Sequence, residues 1–215
     1  MSSLELAEQR HRLIVALRKQ GIRAEPVLRA LSEVPRELFV PAEFYADAYR
    51  NAALPIESGQ TISQPLIVAQ MAEALLLEST DRVLEVGTGS GYMAAVLSKI
   101  VRDVYTIERL PDLAETAAER LWKLRYLNVH VRQGDGTLGW PEHAPFDAVL
   151  VSAGGPYVPQ ALMDQLCVGG RLVIPLGGTE SVQELTRLIR RNEAIFDREK
   201  LRAVRFVPLV TDLPS

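Results

Sequence analysis

Hydrophobic residues in the first part of the chain recur at helical spacing. The spacing predicts a helix over residues 4 to 20, ended by Gly21 in the position of a C-cap, and a second helix over residues 25 to 33, ended by Pro35. Turns rich in aromatic residues follow as far as Asn51. The chain therefore begins with a short helical segment.

From about residue 65 the pattern alternates between helix and strand. Helices are predicted over residues 65–77, 92–101, 111–125 and 159–166, and strands over residues 82–86, 104–107, 129–131, 146–151, 170–175 and 203–210. Residues 181–190 fit either period and are assigned to a strand. Parallel strands joined by helices predict an α/β, doubly wound sheet with helices on both faces and a ligand at the carboxyl ends of the strands. Residues 1–64 are then an N-terminal extension packed on a core of residues 65–215, in one domain overall.

The composition narrows the function classes. Hydrophobic residues make up 47% and charged residues 24% of the chain, which is typical of a globular protein. A net charge of −3 gives no global positive field, so nucleic acid is not expected as a partner. Cys167 is the only cysteine and the three histidines show no metal-ligand spacing, so neither a disulfide nor a metal site is expected.

The sequence shows no pattern of a signal peptide or a membrane span. Its first residues are polar and acidic. Its richest apolar stretch, residues 66 to 77, is interrupted by Gln70 and Glu73 and is well short of the ~20 residues that cross a bilayer. We therefore expect a cytoplasmic protein that acts as a monomer without membrane contact.

A glycine-rich turn follows the first predicted strand. Its sequence is Gly87-Thr88-Gly89-Ser90-Gly91, and glycines there permit a tight turn and close approach of a ligand to the backbone. A dinucleotide fingerprint would need glycine or alanine at position 92, which is Tyr92. Glu85 precedes the glycines, where a carboxylate repels a pyrophosphate but suits a cation. These features favour a cationic nucleoside, S-adenosylmethionine, as the cofactor.

Two further acidic residues follow the next two strands. Glu108 lies 108 − 87 = 21 residues beyond Gly87, the spacing at which a carboxylate accepts both ribose hydroxyls. Asp135 lies in a glycine turn where it can accept the adenine amino group, and Gly136 leaves room for the ring. Each acid alone is more often an ordinary strand end or turn residue. Their order, each at the carboxyl end of a strand, favours a cofactor site.

The segment Gln60-Thr61-Ile62-Ser63-Gln64-Pro65 resembles the signature of the bacterial-type protein-L-isoaspartate O-methyltransferases. Further blocks occur in family order at residues 34–36, 83–92, 134–136, 144–147 and 204–209, so the resemblance covers nearly the whole chain. The resemblance implies a Rossmann-like methyltransferase sheet. It also implies a repair enzyme that methylates the α-carboxylate of L-isoaspartyl residues in damaged proteins and peptides, with S-adenosylhomocysteine as the product of the cofactor.

The resemblance also assigns roles to the signature. It implies that Thr61, Ile62 and Ser63 lie beside the cofactor and that Ser63 is the active-site serine that orients the acceptor. The local sequence alone indicates a helix cap, with Ser63 or Gln64 preceding a proline in the first turn, and the two roles can coexist. The family usually has Thr-Ala-Ala after the fourth strand, whereas this chain has Ser152-Ala153-Gly154-Gly155, which predicts a looser wall near the acceptor.

The same motifs bear on three other functions. A hydrolase would need glycine at position 88 for the Gly-x-Ser-x-Gly turn, and that position is Thr88. Nucleobase amine methyltransferases resemble one another in an Asn/Asp-Pro-Pro-aromatic block after the fourth strand, where this chain has Ser152 to Gly155. A noncatalytic module that binds S-adenosylmethionine would keep the glycine turn and Glu108 without needing Ser63.

Overall fold

The computed structural model describes residues 2–178 and 182–210 of the chain. Its helices are α1 (Ser3–Lys19), α2 (Glu25–Glu33), α3 (Pro65–Ala74), α4 (Tyr92–Ser98), α5 (Pro111–Lys123) and α6 (Gln160–Asp164). Its strands are β1 (Leu54–Pro55), β2 (Thr61–Ile62), β3 (Arg82–Val86), β4 (Asp103–Glu108), β5 (Val129–Gln133), β6 (Phe146–Val151), β7 (Leu166–Leu176), β8 (Gln183–Arg190) and β9 (Phe196–Val204). No helix of the described residues is long and apolar enough to cross a membrane.

Seven of these strands form one sheet in the order β5-β4-β3-β6-β7-β8-β9. The chain runs outward from β3 through β4 to β5 and then returns to β6 on the other side of β3, in parallel throughout. β7 continues the parallel part, while β8 and β9 are antiparallel. The reversal between β3 and β6 is a topological switch point, where ligands of such sheets bind. The predicted α/β doubly wound sheet is confirmed, with an antiparallel pair added at one edge.

Side chains of successive strand residues enter two separate hydrophobic clusters, one on each face of the sheet. Val83 belongs to the larger cluster, which also contains residues of α1 to α5, and Leu84 belongs to the smaller one, which α6 covers. This alternation follows from the two-residue period of a strand. Helices therefore lie on both faces, but unevenly, and the N-terminal helices share the larger cluster with the sheet.

The local sequence determines where α1 begins and ends. Ser2 and Glu5 form a reciprocal capping box at the start of α1. Gly21, with φ +100°, follows the end of the helix, as its sequence position predicts. The helix over residues 25 to 33 is confirmed as well.

The last predicted strand is wrong. Strand β9 covers Phe196–Val204, and residues 205–210 follow it in irregular conformation, with an isolated backbone bridge between Gly154 and Pro208. β9 is an exposed edge strand rich in charged side chains, so it lacks the apolar run that reveals a buried strand. The predicted strand over residues 181–190 is confirmed as Gln183–Arg190, and residue 181 lies outside the described residues.

Candidate active site

A cavity of about 270 Å³ opens at the carboxyl ends of β3 and β4, beside the switch point. Ten of the twelve residues predicted for the cofactor site line it: Thr61, Ile62, Ser63, Glu85, Gly87, Thr88, Gly89, Ser90, Glu108 and Gly136. Gly91 and Asp135 are the two that do not. We call this space the cofactor cavity.

The glycine turn forms one wall of the cofactor cavity. Gly87, Gly89 and Gly91 have φ of +94°, +53° and +87°, in the left-handed region that favours glycine. The Gly87 N–H donates to the Ile107 carbonyl at 2.9 Å, which extends the pairing of β3 with β4 into the turn. Gly91 faces α5 instead, where an added Cβ would lie 3.2 Å from the Leu121 side chain.

Glu85 lies at the base of the cavity in a fully buried position. Its Oε2 accepts from the Thr106 hydroxyl at 2.7 Å, and that hydroxyl lies 2.6 Å from the hydroxyl of Thr88. Oε1 has no hydrogen-bond partner among the described residues. Burial raises the pKa of Glu85 to about 8, Thr106 opposes the shift, and the charge of Glu108 adds to it. The site therefore holds a buried carboxyl group with one unsatisfied oxygen, which is mostly protonated at neutral pH in the cofactor-free protein.

Glu108 also lines the cofactor cavity and is 7% exposed. Its Oε2 accepts from the Gly89 N–H at 2.9 Å and its Oε1 from the Leu110 N–H at 3.1 Å. A carboxylate oxygen has two lone-pair positions, so each oxygen keeps one for a further donor. The contacts fix the Glu108 carboxylate against the glycine turn, and its ribose-binding role stays a prediction.

Gly136 lines the cofactor cavity, whereas Asp135 does not. Asp135 Oδ1 accepts from the backbone N–H and the hydroxyl of Thr137, at 2.8 and 2.7 Å, and so caps a 3-10 turn outside the cavity lining. An added Cβ at Gly136 would lie 2.4 Å from Val86 Cγ1. Packing against Val86 is therefore enough to require glycine there, and the adenine role of Asp135 stays a prediction.

A second cavity of about 660 Å³ adjoins the first, and we call it the acceptor cavity. Thr61, Ser63, Ser152 and Val207 line both spaces. The remaining wall of the acceptor cavity comes from Ala53, the start of α3 with Gln64, Val182 before β8, the end of β9 and the residues that follow β9. Ser63 therefore lies at the boundary between the two cavities.

The Ser63 side chain does not cap α3. The N-cap position is Gln64, whose side chain makes no capping bond, and the N–H of Leu66 is met at 3.0 Å by Oδ1 of Asn51. Pro65 has no N–H that needs a partner, so the side-chain amide of Asn51, distant in the chain, completes the cap by accepting from Leu66. The predicted helix start is confirmed, with Gln64 at the N-cap and Pro65 in the first turn, but neither Ser63 nor Gln64 makes a capping bond with its side chain. Among the described residues the Ser63 hydroxyl has no hydrogen-bond partner, so it is available to a ligand.

The sequence model of the protein-L-isoaspartate(D-aspartate) O-methyltransferase (PCMT) family matches residues 8–213. The chain belongs to this family. It is 56% identical over 210 residues to protein-L-isoaspartate O-methyltransferase 2 of Pelobacter propionicus, covering 97% of this chain and 93% of the relative. It is 59% identical over 191 residues to protein-L-isoaspartate O-methyltransferase 1 of Geotalea uraniireducens, covering 89% of this chain and 87% of the relative.

Solved structures agree with this assignment. A protein-L-isoaspartate O-methyltransferase superposes with a TM-score of 0.85 at 29% identity, covering 95% of this chain and 67% of the other. A second structure, described as a beta-aspartate methyltransferase (PCMT) from Plasmodium falciparum in complex with S-adenosyl-L-homocysteine, has a TM-score of 0.80 at 24% identity, covering 94% of this chain and 98% of the other. The second likeness shows the fold, and the family resemblance read from the sequence is confirmed.

In this PCMT chain a buried arginine holds the main chain of Ser63. Arg36 is fully buried and donates from Nε to the Ala48 carbonyl at 2.8 Å and from Nη2 to the Ser63 carbonyl at 2.9 Å. Its guanidinium carbon lies 4.8 Å from the centre of the Tyr92 ring. Sequence reasoning assigned no role to Arg36 or Asn51, because neither lies near Ser63 in the chain.

Proposed function

We propose that this chain carries out the methyl transfer for which its family is named, with the free α-carboxylate of L-isoaspartyl residues in damaged proteins and peptides as acceptor and Ser63 as the residue that orients it. The observation that carries the role of Ser63 is its place on the wall shared by both cavities, with a hydroxyl that no described residue engages. A residue at that boundary can touch both reactants.

The cofactor cavity fits S-adenosylmethionine in charge. Glu85 and Glu108 give the cavity two carboxylates, and Glu85 Oε1 is buried without a partner. The ionised form of this buried group favours a cationic ligand over an anionic one, and a cation in turn favours its ionisation. Glu108, fixed beside the glycine turn, has the remaining acceptor positions that a ribose diol needs. When bound, S-adenosylmethionine supplies a methyl group on a positively charged sulfur.

The acceptor cavity fits an ionised carboxylate on a peptide. Such a carboxylate has a pKa near 4 and is already charged at pH 7, so the transfer requires no general base. The Ser63 hydroxyl can donate to one carboxylate oxygen and leave the other free to react. Arg205, an exposed cation, also lines this cavity and favours a negatively charged acceptor. The protein's contribution is then to orient the acceptor and exclude water.

We extend the proposal to the partners of the enzyme. The net charge of −3 supports a protein substrate rather than a nucleic acid, and we propose that the chain acts as a cytoplasmic monomer. Sedimentation of the purified chain with and without an isoaspartyl peptide tests the oligomeric part. A stable dimer whose dissociation abolishes transfer would replace it.

The decisive test of the function compares methyl transfer to matched isoaspartyl and aspartyl peptides and to RNA. We expect transfer to the isoaspartyl peptide only. Ser63→Ala should lower kcat/KM for that peptide by about ten- to a hundredfold, the scale for a lost hydrogen bond to a charged group, while Kd for the cofactor changes little. Ser63→Thr keeps the hydroxyl and is the matched control.

Equal methylation of the two peptides would contradict the repair function. Transfer to RNA alone would favour a nucleobase methyltransferase. Binding of the cofactor without transfer to any acceptor would favour a noncatalytic module. Wild-type turnover in a folded Ser63→Ala variant would leave the function in place and remove the role of Ser63.

A further inference from the structure

The side chain of Gln183, at the start of β8, is attached to the segment that forms one wall of the acceptor cavity. Gln183 is 1% exposed, and its main chain pairs with Val204 at the end of β9. Its Oε1 accepts from the Phe206 N–H at 2.8 Å, and its Nε2 donates to the Phe206 carbonyl at 3.2 Å. One side-chain amide thus binds both backbone groups of a residue beyond the end of the strand.

Gly154 makes room for this arrangement. An added Cβ at Gly154 would lie 2.3 Å from Gln183 Nε2 and 2.4 Å from its Cδ. The backbone of Gly154 holds the other side of the same segment, since its N–H donates to the Val207 carbonyl at 2.8 Å and its carbonyl accepts from the Leu209 N–H at 2.7 Å. The looser wall predicted from the glycines is therefore wrong, because the Gln183 amide fills the space that a side chain at 154 would occupy.

Gln183 lines neither cavity, whereas residues 203–207 line the acceptor cavity together with Ser63. Gln183 can therefore influence the acceptor only indirectly, through the main chain that its amide holds or through its neighbour Val182, which does line the acceptor cavity. An isoaspartyl residue continues the chain through its β-carbon, so its backbone is one atom longer than that of aspartate. Discriminating between the two requires backbone groups at fixed positions along the acceptor, because a wall that can shift accommodates both spacings.

We propose that Gln183 is a positioning residue for the acceptor, which, together with Gly154, fixes the main chain at residues 205–207 in the form that selects isoaspartyl over aspartyl peptides. This inference rests on the proposed function and extends it to specificity. Gln183 touches neither reactant. Its loss affects the KM for the acceptor and the selectivity more than kcat or the affinity for the cofactor.

The chain contains a matched control for the hydrogen bonds of Gln183, in the side chain of Gln165. Gln165, 9% exposed, accepts from the Trp140 N–H at 2.7 Å and donates to the Leu138 carbonyl at 2.9 Å. A glycine again makes room, since a Cβ at Gly139 would lie 2.3 Å from Gln165 Oε1. The residues held by Gln165 line neither cavity. Gln165→Ala therefore removes an equivalent pair of hydrogen bonds at a place where the acceptor is not expected to be affected.

The experiment measures kcat and KM for matched isoaspartyl and aspartyl peptides, Kd for S-adenosylmethionine, and hydrogen exchange of the Phe206 amide. Gln183→Ala should raise KM for the isoaspartyl peptide on the order of tenfold, narrow the preference over the aspartyl peptide, and speed exchange at Phe206. The Kd for the cofactor should change less than about twofold. Gly154→Ala should reproduce these effects by displacing the amide, and Gln183→Met provides an apolar variant of similar volume if Gln183→Ala does not fold.

The inference is overturned if folded Gln183 variants exchange faster at Phe206 yet keep the wild-type KM and selectivity. It is also overturned if Gln165→Ala raises KM by the same factor, because the effect would then follow from lost stability. A wild-type chain that methylates neither peptide overturns the proposed function and the acceptor role of Gln183 together, whereas an active wild type with unaffected variants overturns only this inference.

Discussion

The two adjoining cavities are built in different ways. The cofactor cavity uses residues at the ends of neighbouring parallel strands, with the glycine turn after β3 and Glu108 at the end of β4. The acceptor cavity uses segments that are far apart in the chain, from Ala53 to residues 203–207. Pairing in the sheet is enough to bring the strand-end residues of the cofactor cavity together, since parallel strands end at a common edge, whereas residues 60–63 and 207–210 reach that cavity from distant parts of the chain. The acceptor cavity depends on individual polar contacts.

Those contacts run from a buried side chain to the main chain of the segment that it holds. Arg36 binds the Ser63 carbonyl and Gln183 binds both backbone groups of Phe206. A contact of this type follows no periodic pattern in the sequence, and its two partners are far apart in the chain, so the sequence gives no signal for it. We therefore expect changes in these contacts to affect the acceptor cavity more than the strand-end part of the cofactor cavity, although Ser63 and Val207 line both.

The largest effect is expected at the carboxylate on the cofactor side. Glu108→Ala should weaken S-adenosylmethionine binding by ~1.5–3 kcal/mol, up to about 150-fold in Kd, because hydrogen bonds to a charged group are lost and the Gly89 N–H is left without its acceptor. Calorimetry measures this change. Glu142→Ala, which removes an exposed carboxylate from a surface pair with Arg132, is the control. An unchanged Kd would reject the ribose assignment and weaken the contrast between the cavities.

The next effect is a pH dependence of cofactor binding. Burial raises the pKa of Glu85 to about 8, so only a small fraction is ionised at pH 6 and half is ionised at pH 8. If a cationic cofactor binds the ionised form, Kd should fall by up to about fiftyfold between these values and level off above pH 8. Glu85→Gln removes the titrating group and should flatten this part of the profile, which also separates it from ionisations of the cofactor.

The same pKa predicts a trend in stability. The folded protein holds the Glu85 proton between pH 4.5 and about 8, where the unfolded chain has released it. Because the folded state then binds more protons, the stability of the cofactor-free protein due to this group is present below pH 4.5 and is lost as the pH rises to about 8. Denaturant unfolding of the wild type and of Glu85→Gln at several pH values checks the sign. A loss on acidification that Glu85→Gln abolishes would contradict it.

A smaller effect is expected on the free energy of unfolding. It distinguishes Asn51, which caps α3, from Ser63, which we assign to acceptor binding. Asn51→Ala removes the cap of α3 and should lower the free energy of unfolding by ~1 kcal/mol, with little change in Kd for the cofactor. Ser63→Ala should leave stability nearly unchanged, since its hydroxyl has no partner among the described residues. Thermal or denaturant unfolding compares the two variants. A larger loss of stability in Ser63→Ala than in Asn51→Ala would restore the capping role.

The parts of the molecule that could be predicted are those determined by the local order of strands, turns and helices. The glycine turn, Glu85 and Glu108 follow from a strand, a turn and the next strand, so their common location could be predicted. The edge strand β9 could not, because its charged residues face solvent on an exposed edge. The apolar side chains over residues 203–210 predict a buried strand, whereas several of residues 205–210 line the cavities instead.

The smallest expected effect is that of pH on the rate of methyl transfer. At saturating cofactor, the initial rate of methyl transfer should be nearly constant from about pH 6 to 8, because the acceptor carboxylate is ionised throughout this range. Saturation removes the contribution of Glu85 to binding. The assay must follow initial methyl incorporation, since methyl esters hydrolyse in base and would mimic a falling rate.

The positions of the three histidines support this expectation. His130 and His143 stack on the Tyr105 ring, with centroid distances of 4.8 and 4.4 Å, and Tyr105 belongs to the smaller hydrophobic cluster. His11 lies in α1, and none of the three lines either cavity. A limb centred near pH 6.5 that disappeared in His130→Phe or His143→Phe would show that a histidine acts as a base. That outcome would favour an amine or hydroxyl acceptor, because only an acceptor that must lose a proton gains from a base, and the acceptor cavity would then need a different ligand from the carboxylate assigned to it.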